Sequence, residues 1–210
     1  MSMFNEDSKT QLSTILQEMV NPVKIVCFFG SGEKNEEARQ FVTEFSEFSD
    51  KISLVIHSDA DKSLMIDTWN AHASPAIFVS NSDESLKGVG YLGTPGGYEI
   101  NSFLMSILEV SGKVEALSSA HKQVVDSISH DIEIYTFISL TCPQCPQAVM
   151  NIHRLAIENR HIKAYMVEGP AFKDYTELQG IQAFPTIKIG DKSLVGQNAK
   201  DMNQLIELLK

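Results

Sequence analysis

Hydrophobic positions along the chain change period in a set order, and that order is written twice. In "SKTQLSTILQEMV" the apolar residues Leu12, Ile15, Leu16 and Met19 recur at helical spacing, as do Val124, Val125 and Ile128 in "SSAHKQVVDSISH". Each helical pattern leads into a run of β-branched and aromatic residues, "VKIVCFF" and "IEIYTFI", which predicts a strand. A polar turn then opens another helix. "ISLVIHSD" and "IKAYMVEG" read as second strands, and "ASPAIFVS" and "AFPTIKIG" each set a proline directly before a strand. Both repeats close on apolar helices, "EINSFLMSIL" and "DMNQLIELLK".

The repeats hold register: the offsets from Val23 to Ile132 and from Pro75 to Pro185 differ by a single residue. Each therefore reads as helix, strand, helix, strand, helix, proline-led hairpin and closing helix. In the second repeat the hairpin turns at Gly190 and Asp191, within "GDKSL". A strand-helix-strand crossover implies parallel pairing, and the hairpin adds antiparallel strands. The expectation is an α/β protein of two tandem thioredoxin-like folds with mixed parallel and antiparallel sheets, residues 1–115 and 116–210, joined near "GKVEALSSAH". Periodicity does not say whether the two sheets join.

Composition narrows the partners. The chain has 210 residues, 43% of them hydrophobic, a size that suits one large domain or two small ones. A formal net charge of -10 and the absence of a basic run exclude a nucleic-acid backbone as partner. The polar, acidic start "MSMFNEDSKTQLSTILQEMV" lacks the features of a secretory signal. No uninterrupted apolar stretch approaches the roughly 18 residues of a membrane helix. Three cysteines make no disulfide framework in a chain this long, so a cytoplasmic location is expected.

Candidate chemistry lies in "FISLTCPQCPQAVM", where Cys142 and Cys145 stand two residues apart, after a strand and at the mouth of a helix. Pro143 suits the first helical position, which would put Cys142, preceded by Thr141, near the helix N-cap. There the unpaired N–H groups and the helix dipole favour an anionic sulfur. A free thiol with pKa near 8.5 is only about 3% thiolate at pH 7, whereas one lowered to about 6 is mostly thiolate. Cys142 is thus expected to attack and Cys145, a turn deeper, to resolve. Pro146 fits less well, because it removes an early helical donor. In "QAFPTI" a cis Phe184–Pro185 bond is expected to turn the backbone beside the sulfurs, the alternative being a trans proline opening an edge strand.

Other readings are weaker. Zinc needs two further ligands, and His153 and His161 are spaced too widely for a finger. Cys27, inside an apolar strand, reads as a small buried hydrophobe, and Trp69, Phe41, Phe45 and Phe103 as core. In the first repeat Glu33 and Glu36 fall opposite the two cysteines, so that repeat keeps the frame without the thiols.

The segments "SLTCPQCPQAV", "LGTPGGYE" and "GIQAFPTIKIG" resemble the N-terminal double-thioredoxin-fold domain of the flavoprotein subunit of alkyl hydroperoxide reductase, over nearly the whole chain. The resemblance implies that Cys142 and Cys145 take electrons from a flavoprotein dithiol and reduce the disulfide of a peroxiredoxin. It also matches Glu99 to a glutamate of the first fold that lies near the redox pair. Such a carboxylate would accept a hydrogen bond or proton from the thiol, and its charge would raise the thiol pKa. The alternative is a helix-start carboxylate favoured by the dipole at "YEINSFLMSIL".

In the full-length flavoprotein, FAD- and pyridine-nucleotide-binding domains follow this one. The present chain ends at Lys210, and its "GVGYLGTPGG" is read as lacking the context of a dinucleotide-binding loop. No bound cofactor is expected; FAD and NAD(P)H would sit on a separate thioredoxin-reductase-like flavoprotein serving a free-standing carrier or an excised domain. One rival is a general protein disulfide oxidoreductase like the double-fold proteins of thermophiles, against which Glu33 and Glu36 argue. Another is a non-enzymatic zinc-bound or interaction module. Homodimerisation is left open.

Overall fold

The computed structural model describes residues 2–210. The first repeat comprises α1 (Glu6–Leu16), β1 (Val23–Phe29), α2 (Glu33–Ser46), β2 (Ile52–Ser58), a π-helical segment (Ser63–Thr68), β3 (Ala76–Asn81), β4 (Val89–Leu92) and α3 (Ile100–Val110). The second comprises α4 (Ser119–Ser127), β5 (Ile132–Ile138), α5 (Cys145–Glu158), β6 (Ile162–Glu168), α6 (Lys173–Leu178), β7 (Thr186–Ile189), β8 (Lys192–Val195) and α7 (Met202–Leu208). Side-chain caps open several helices. Asn5 accepts from the Ser8 N–H, Ser118 from that of His121 and Asp201 from that of Asn203, each satisfying an amide with no intrahelical acceptor.

The two sheets join into one. Eight strands run in the order β2-β1-β3-β4-β6-β5-β7-β8, in which the inner order of the first repeat recurs in the second. β1 pairs parallel with β2 and antiparallel with β3; β5 pairs parallel with β6 and antiparallel with β7. The joint is the parallel pairing of β4 with β6, from Val89 opposite Ala164 to Leu92 opposite Val167. All four residues of β4 are buried, as expected of a strand covered on both faces. Gly90 is needed there: a Cβ would stand 2.7 Å from the ring of Tyr165 on the neighbouring strand.

Side chains alternate between two apolar layers. Ile25, Cys27 and Phe29 of β1 face the larger layer, under α1 to α5 and α7, while Val26 and Phe28 face the smaller one. Phe41, Phe45 and Phe103 fill the first and Trp69 the second.

The seam between repeats is polar at its centre. Arg154 of α5 bonds Glu109 of α3 through Nη2 at 2.5 Å and Nε at 3.0 Å, and reaches Glu115 at 3.2 Å. His153, fully buried, has Nε2 3.1 Å from the Gly90 carbonyl and Nδ1 3.1 Å from Ser106 Oγ, which lies 2.8 Å from the Tyr91 hydroxyl. Because a carbonyl can only accept, Nε2 carries the proton and Nδ1 accepts from Ser106. Burial holds this imidazole neutral, with its pKa lowered to about 3.

Candidate redox site

β5 delivers the chain to one edge of the sheet at Ile138, and a short loop precedes α5. The Cys142 N–H donates to Ser139 O at 2.9 Å and the Cys145 N–H to Cys142 O at 3.3 Å, coiling the loop into consecutive turns. Ser139 Oγ, 3.1 Å from Thr141 Oγ1, braces its start. Cys142 and Cys145 form a disulfide with their Cα atoms 5.5 Å apart. Cys142 is half-buried, whereas Cys145 is fully buried.

The helix opens later than its sequence suggests. Gln144 is the N-cap and Cys145 the first helical residue, so Pro143 lies in the preceding turn. Pro146 takes the second helical position, where a missing N–H leaves no intrahelical bond unmade. The proline that looked awkward is thus the one that starts α5.

Phe184–Pro185 is cis, and so is Ser74–Pro75 of the first repeat. The antiparallel register pairs Phe137 with Thr186, which sets Pro185 beside the end of β5, where the redox loop departs. Pro185 O accepts from the Gly196 N–H at 2.8 Å, and Pro75 O from the Gly93 N–H at 3.1 Å, so the two proline-led hairpins share one design.

Glu99 approaches from the first repeat. It ends a 3-10 turn, Gly97–Glu99, that docks on the redox loop: the Tyr98 N–H donates to Leu140 O at 3.1 Å. The Glu99 side chain does not cap α3. It is fully buried, Oε2 accepts from Ser102 Oγ at 2.5 Å, and Oε1 has no hydrogen-bond partner among the described residues. Burial lifts its pKa to about 7, opposed by the Ser102 hydrogen bond.

Glu33 and Glu36, at the matching end of α2, are exposed. Asn35 between them is buried; its Oδ1 accepts from the Gly30 N–H at 2.9 Å and its Nδ2 donates to Ser31 O at 3.1 Å, so an amide holds this loop. Among the described residues no three His, Cys, Asp or Glu side chains gather as a metal-ligand set. His161 is bonded to Asp131 at 2.9 Å, and both ring nitrogens of His153 are engaged. By letter, Gly88, Gly90 and Gly93 do have dinucleotide-loop spacing, and β4 does run through a Gly-rich turn into α3. The middle of that motif is β4 itself, a strand inside the sheet, so the residues do not fit a flavin or nicotinamide pyrophosphate. No helix among the described residues is long and apolar enough to cross a membrane.

Sequence patterning passed over three residues at this edge: Tyr98, Leu140 and Gly169. The paired glycines of "GTPGGYE" were the available signal for the first two.

Fold and site together place the chain among the thiol-disulfide oxidoreductases. No family model matches it. The alkyl hydroperoxide reductase AhpF of Staphylococcus aureus is 32% identical over 185 residues, which are 88% of this chain and 34% of that protein. The chain thus spans about a third of the length of the curated relatives it matches. The NTD_N/C domain of the alkyl hydroperoxide reductase AhpF from Enterococcus faecalis superposes with a TM-score of 0.91 at 26% identity, covering 99% of this chain and 100% of that one. A protein disulfide oxidoreductase from Aeropyrum pernix superposes with a TM-score of 0.87 at 26% identity, covering 98% and 91%. The chain is a homologue of the N-terminal domain of the alkyl hydroperoxide reductase AhpF.

Proposed function

We propose that the chain carries two electrons from a flavoprotein dithiol to the disulfide of a peroxiredoxin, through Cys142 and Cys145. The observation that carries this reading is the unequal burial of the two sulfurs across one disulfide, half-buried Cys142 and fully buried Cys145, in a homologue of that domain. In the reduced protein the Cys142 thiolate attacks the partner's disulfide. One Cys142–partner S–S bond forms, the partner's own S–S bond breaks, and the departing partner thiolate takes up a proton. Cys145, reachable only from within, then attacks Cys142 Sγ and releases the second partner thiol. The partner has gained two electrons and two protons, and the chain is left with the Cys142–Cys145 disulfide. A thioredoxin-reductase-like flavoprotein, bearing FAD and drawing on NAD(P)H, returns the electrons.

Residues around the pair have distinct tasks in this cycle. With the Cys145 N–H bonded to Cys142 O and no N–H on Pro146, it is the dipole of α5 that favours the thiolate. Phe184 and Pro185 are assigned to seat the partner's chain, and the exposed Thr141 and Pro143 to meet it beside Cys142. Glu99, with a pKa of about 7, holds or gives up a proton near neutral pH beside the loop. Residues 116–210 supply the redox unit and 1–115 its supporting half.

The likeness to the Aeropyrum pernix protein favours a second reading, reduction of protein disulfides in general. Serine variants and two substrates separate the two. Cys145→Ser is expected to accumulate a covalent adduct with an oxidised peroxiredoxin, and Cys142→Ser to form none. Full turnover by Cys145→Ser without an adduct would overturn the assigned roles, and insulin reduced as fast as peroxiredoxin would favour the general enzyme.

A further inference from the structure

The redox loop of the second repeat is closed on one flank by a turn of the first. At this edge the strands stand in the order β4, β6, β5, β7, so the chain leaving β4 must pass the end of β6 to meet the loop after β5. It is tied down at both places. The Thr94 N–H donates to Glu168 Oε2 at 3.1 Å, at the end of β6, and the Tyr98 N–H donates to Leu140 O at 3.1 Å. Gly97 adopts a φ of +55°, and a Cβ there would run into the Leu140 carbonyl oxygen. Asn101 Nδ2 holds Tyr98 O at 3.1 Å from the other side.

Tyr98 takes part only through its main-chain N–H and carbonyl, and its side chain is left over. It is 49% exposed. Among the described residues its ring makes no aromatic contact and its hydroxyl no hydrogen bond. Glu99, its neighbour, turns inward and is fully buried. A large ring is therefore held in solvent on a rigid base, bonded to the residue two before Cys142. Standard backbone dimensions put the Cα atoms of Tyr98 and Cys142 at most about 14 Å apart. A partner chain bonded to Cys142 advances up to about 3.5 Å per residue, so its second to fourth residues from the reactive cysteine cross that span.

We propose that Tyr98 is a docking residue for the disulfide-bearing segment of the partner protein, so that the half without thiols helps choose which disulfides the other half reduces. Tyrosine suits the task, because it offers a wide apolar face with only two torsions to freeze. The inference rests on the reading that Cys142 attacks a protein disulfide.

The test uses the full chain, reduced and freed of reductant, in single-turnover oxidation by three probes: an oxidised 2-Cys peroxiredoxin, insulin and hydroxyethyl disulfide. Tyr98→Ala keeps the main-chain seat. It is expected to slow oxidation by the protein disulfide about fivefold or more, with Tyr98→Phe within about twofold of wild type. Oxidation by hydroxyethyl disulfide and the pH profile of Cys142 alkylation by iodoacetamide are expected to stay unchanged, which also reports an intact loop. An equal loss on hydroxyethyl disulfide would make Tyr98 a support of the loop and overturn the proposal, as would no loss on any probe. Should wild type reduce insulin and leave peroxiredoxin untouched, the peroxiredoxin reading falls alone, and Tyr98 is judged on insulin.

Discussion

Gly169 and the ring of Phe184 are in such close contact that a Cβ built on Gly169 would stand 2.5 Å from Phe184 Cζ. The Gly169 N–H also donates to Ile138 O at 2.9 Å. This one residue therefore ties the ends of β5 and β6 to the residue before Pro185. Gly169→Ala is expected to push the Phe184 ring outward, lowering stability by about 1–2 kcal/mol because the partly open site lets the ring yield. The same shift is expected to slow reaction with a protein disulfide several-fold while leaving Cys142 alkylation nearly unchanged. Urea midpoints and single-turnover rates check both, and a lowered midpoint with a wild-type rate would show that the ring's position has no bearing on docking.

Glu99 links stability to pH with an unusual sign. Its folded pKa of about 7 lies above the ordinary value of 4.5, because burial disfavours the carboxylate. The folded state therefore binds the proton more tightly, and stability drains away as pH rises from about 4.5 to 7. Glu99→Gln removes that dependence. The variant is expected to match wild type near pH 4.5 and to exceed it by on the order of 3 kcal/mol above pH 7. Urea unfolding at pH 4.5 and 8 measures the difference, and a gain that is equal at both would show Glu99 already ionised in the folded protein.

His153 works in the opposite direction. With a folded pKa of about 3 against 6.5, it contributes stability that is complete above pH 6.5 and is lost as pH falls toward 3. His153→Gln is expected to flatten the acid side of the stability curve while costing stability at pH 7, where the bond to Gly90 O is remade imperfectly. Thermal midpoints of both proteins between pH 4 and 7 decide this, with parallel curves counting against it.

At the seam, Arg154 is the partner of a carboxylate that is only 3% exposed. Arg154→Met leaves Glu109 buried and uncompensated, at an expected cost of about 3 kcal/mol or more. Adding Glu109→Leu is expected to restore part of that loss, since the penalty belongs to the unpaired charge. A double variant no more stable than Arg154→Met would assign the loss to packing of the arginine stem.

The three cysteines should separate by reactivity. Burial pushes the Cys27 thiol well above its ordinary pKa, while Cys142 is partly open to solvent in the disulfide-bonded protein. After reduction, brief iodoacetamide treatment at pH 7 is expected to modify Cys142 first and to leave Cys27 untouched until the protein is denatured. Peptide mass mapping reads the order directly, and early labelling of Cys27 would contradict its burial.

Much of this was legible along the chain. The runs "VKIVCFF" and "IEIYTFI" are β1 and β5 to the residue, because β-branched and aromatic residues dominate both and suit a pleated, largely buried strand. The turn at Gly190 and Asp191 joins β7 to β8, and both proline-led strands formed with cis bonds. The start of α5 was misplaced, because Pro143 and Pro146 stand three residues apart and either could open a helix; the turns of the preceding loop take up Pro143, and Pro146 falls in the first turn. Glu99 had two readings that local sequence could not separate, since a helix-start carboxylate and a buried one are written alike.

Spacing of residues along the chain determined the local elements, the doubled frame and the two sulfurs set one turn apart, because each depends on neighbours within a few residues. Only the tertiary structure decided that β4 pairs with β6, and with it that the Gly97–Glu99 turn of one repeat docks through Tyr98 on the redox loop of the other. Pairing at a sheet edge is made by backbone N–H and C=O groups that nearly every residue carries, so the choice of edge leaves little trace in side-chain order.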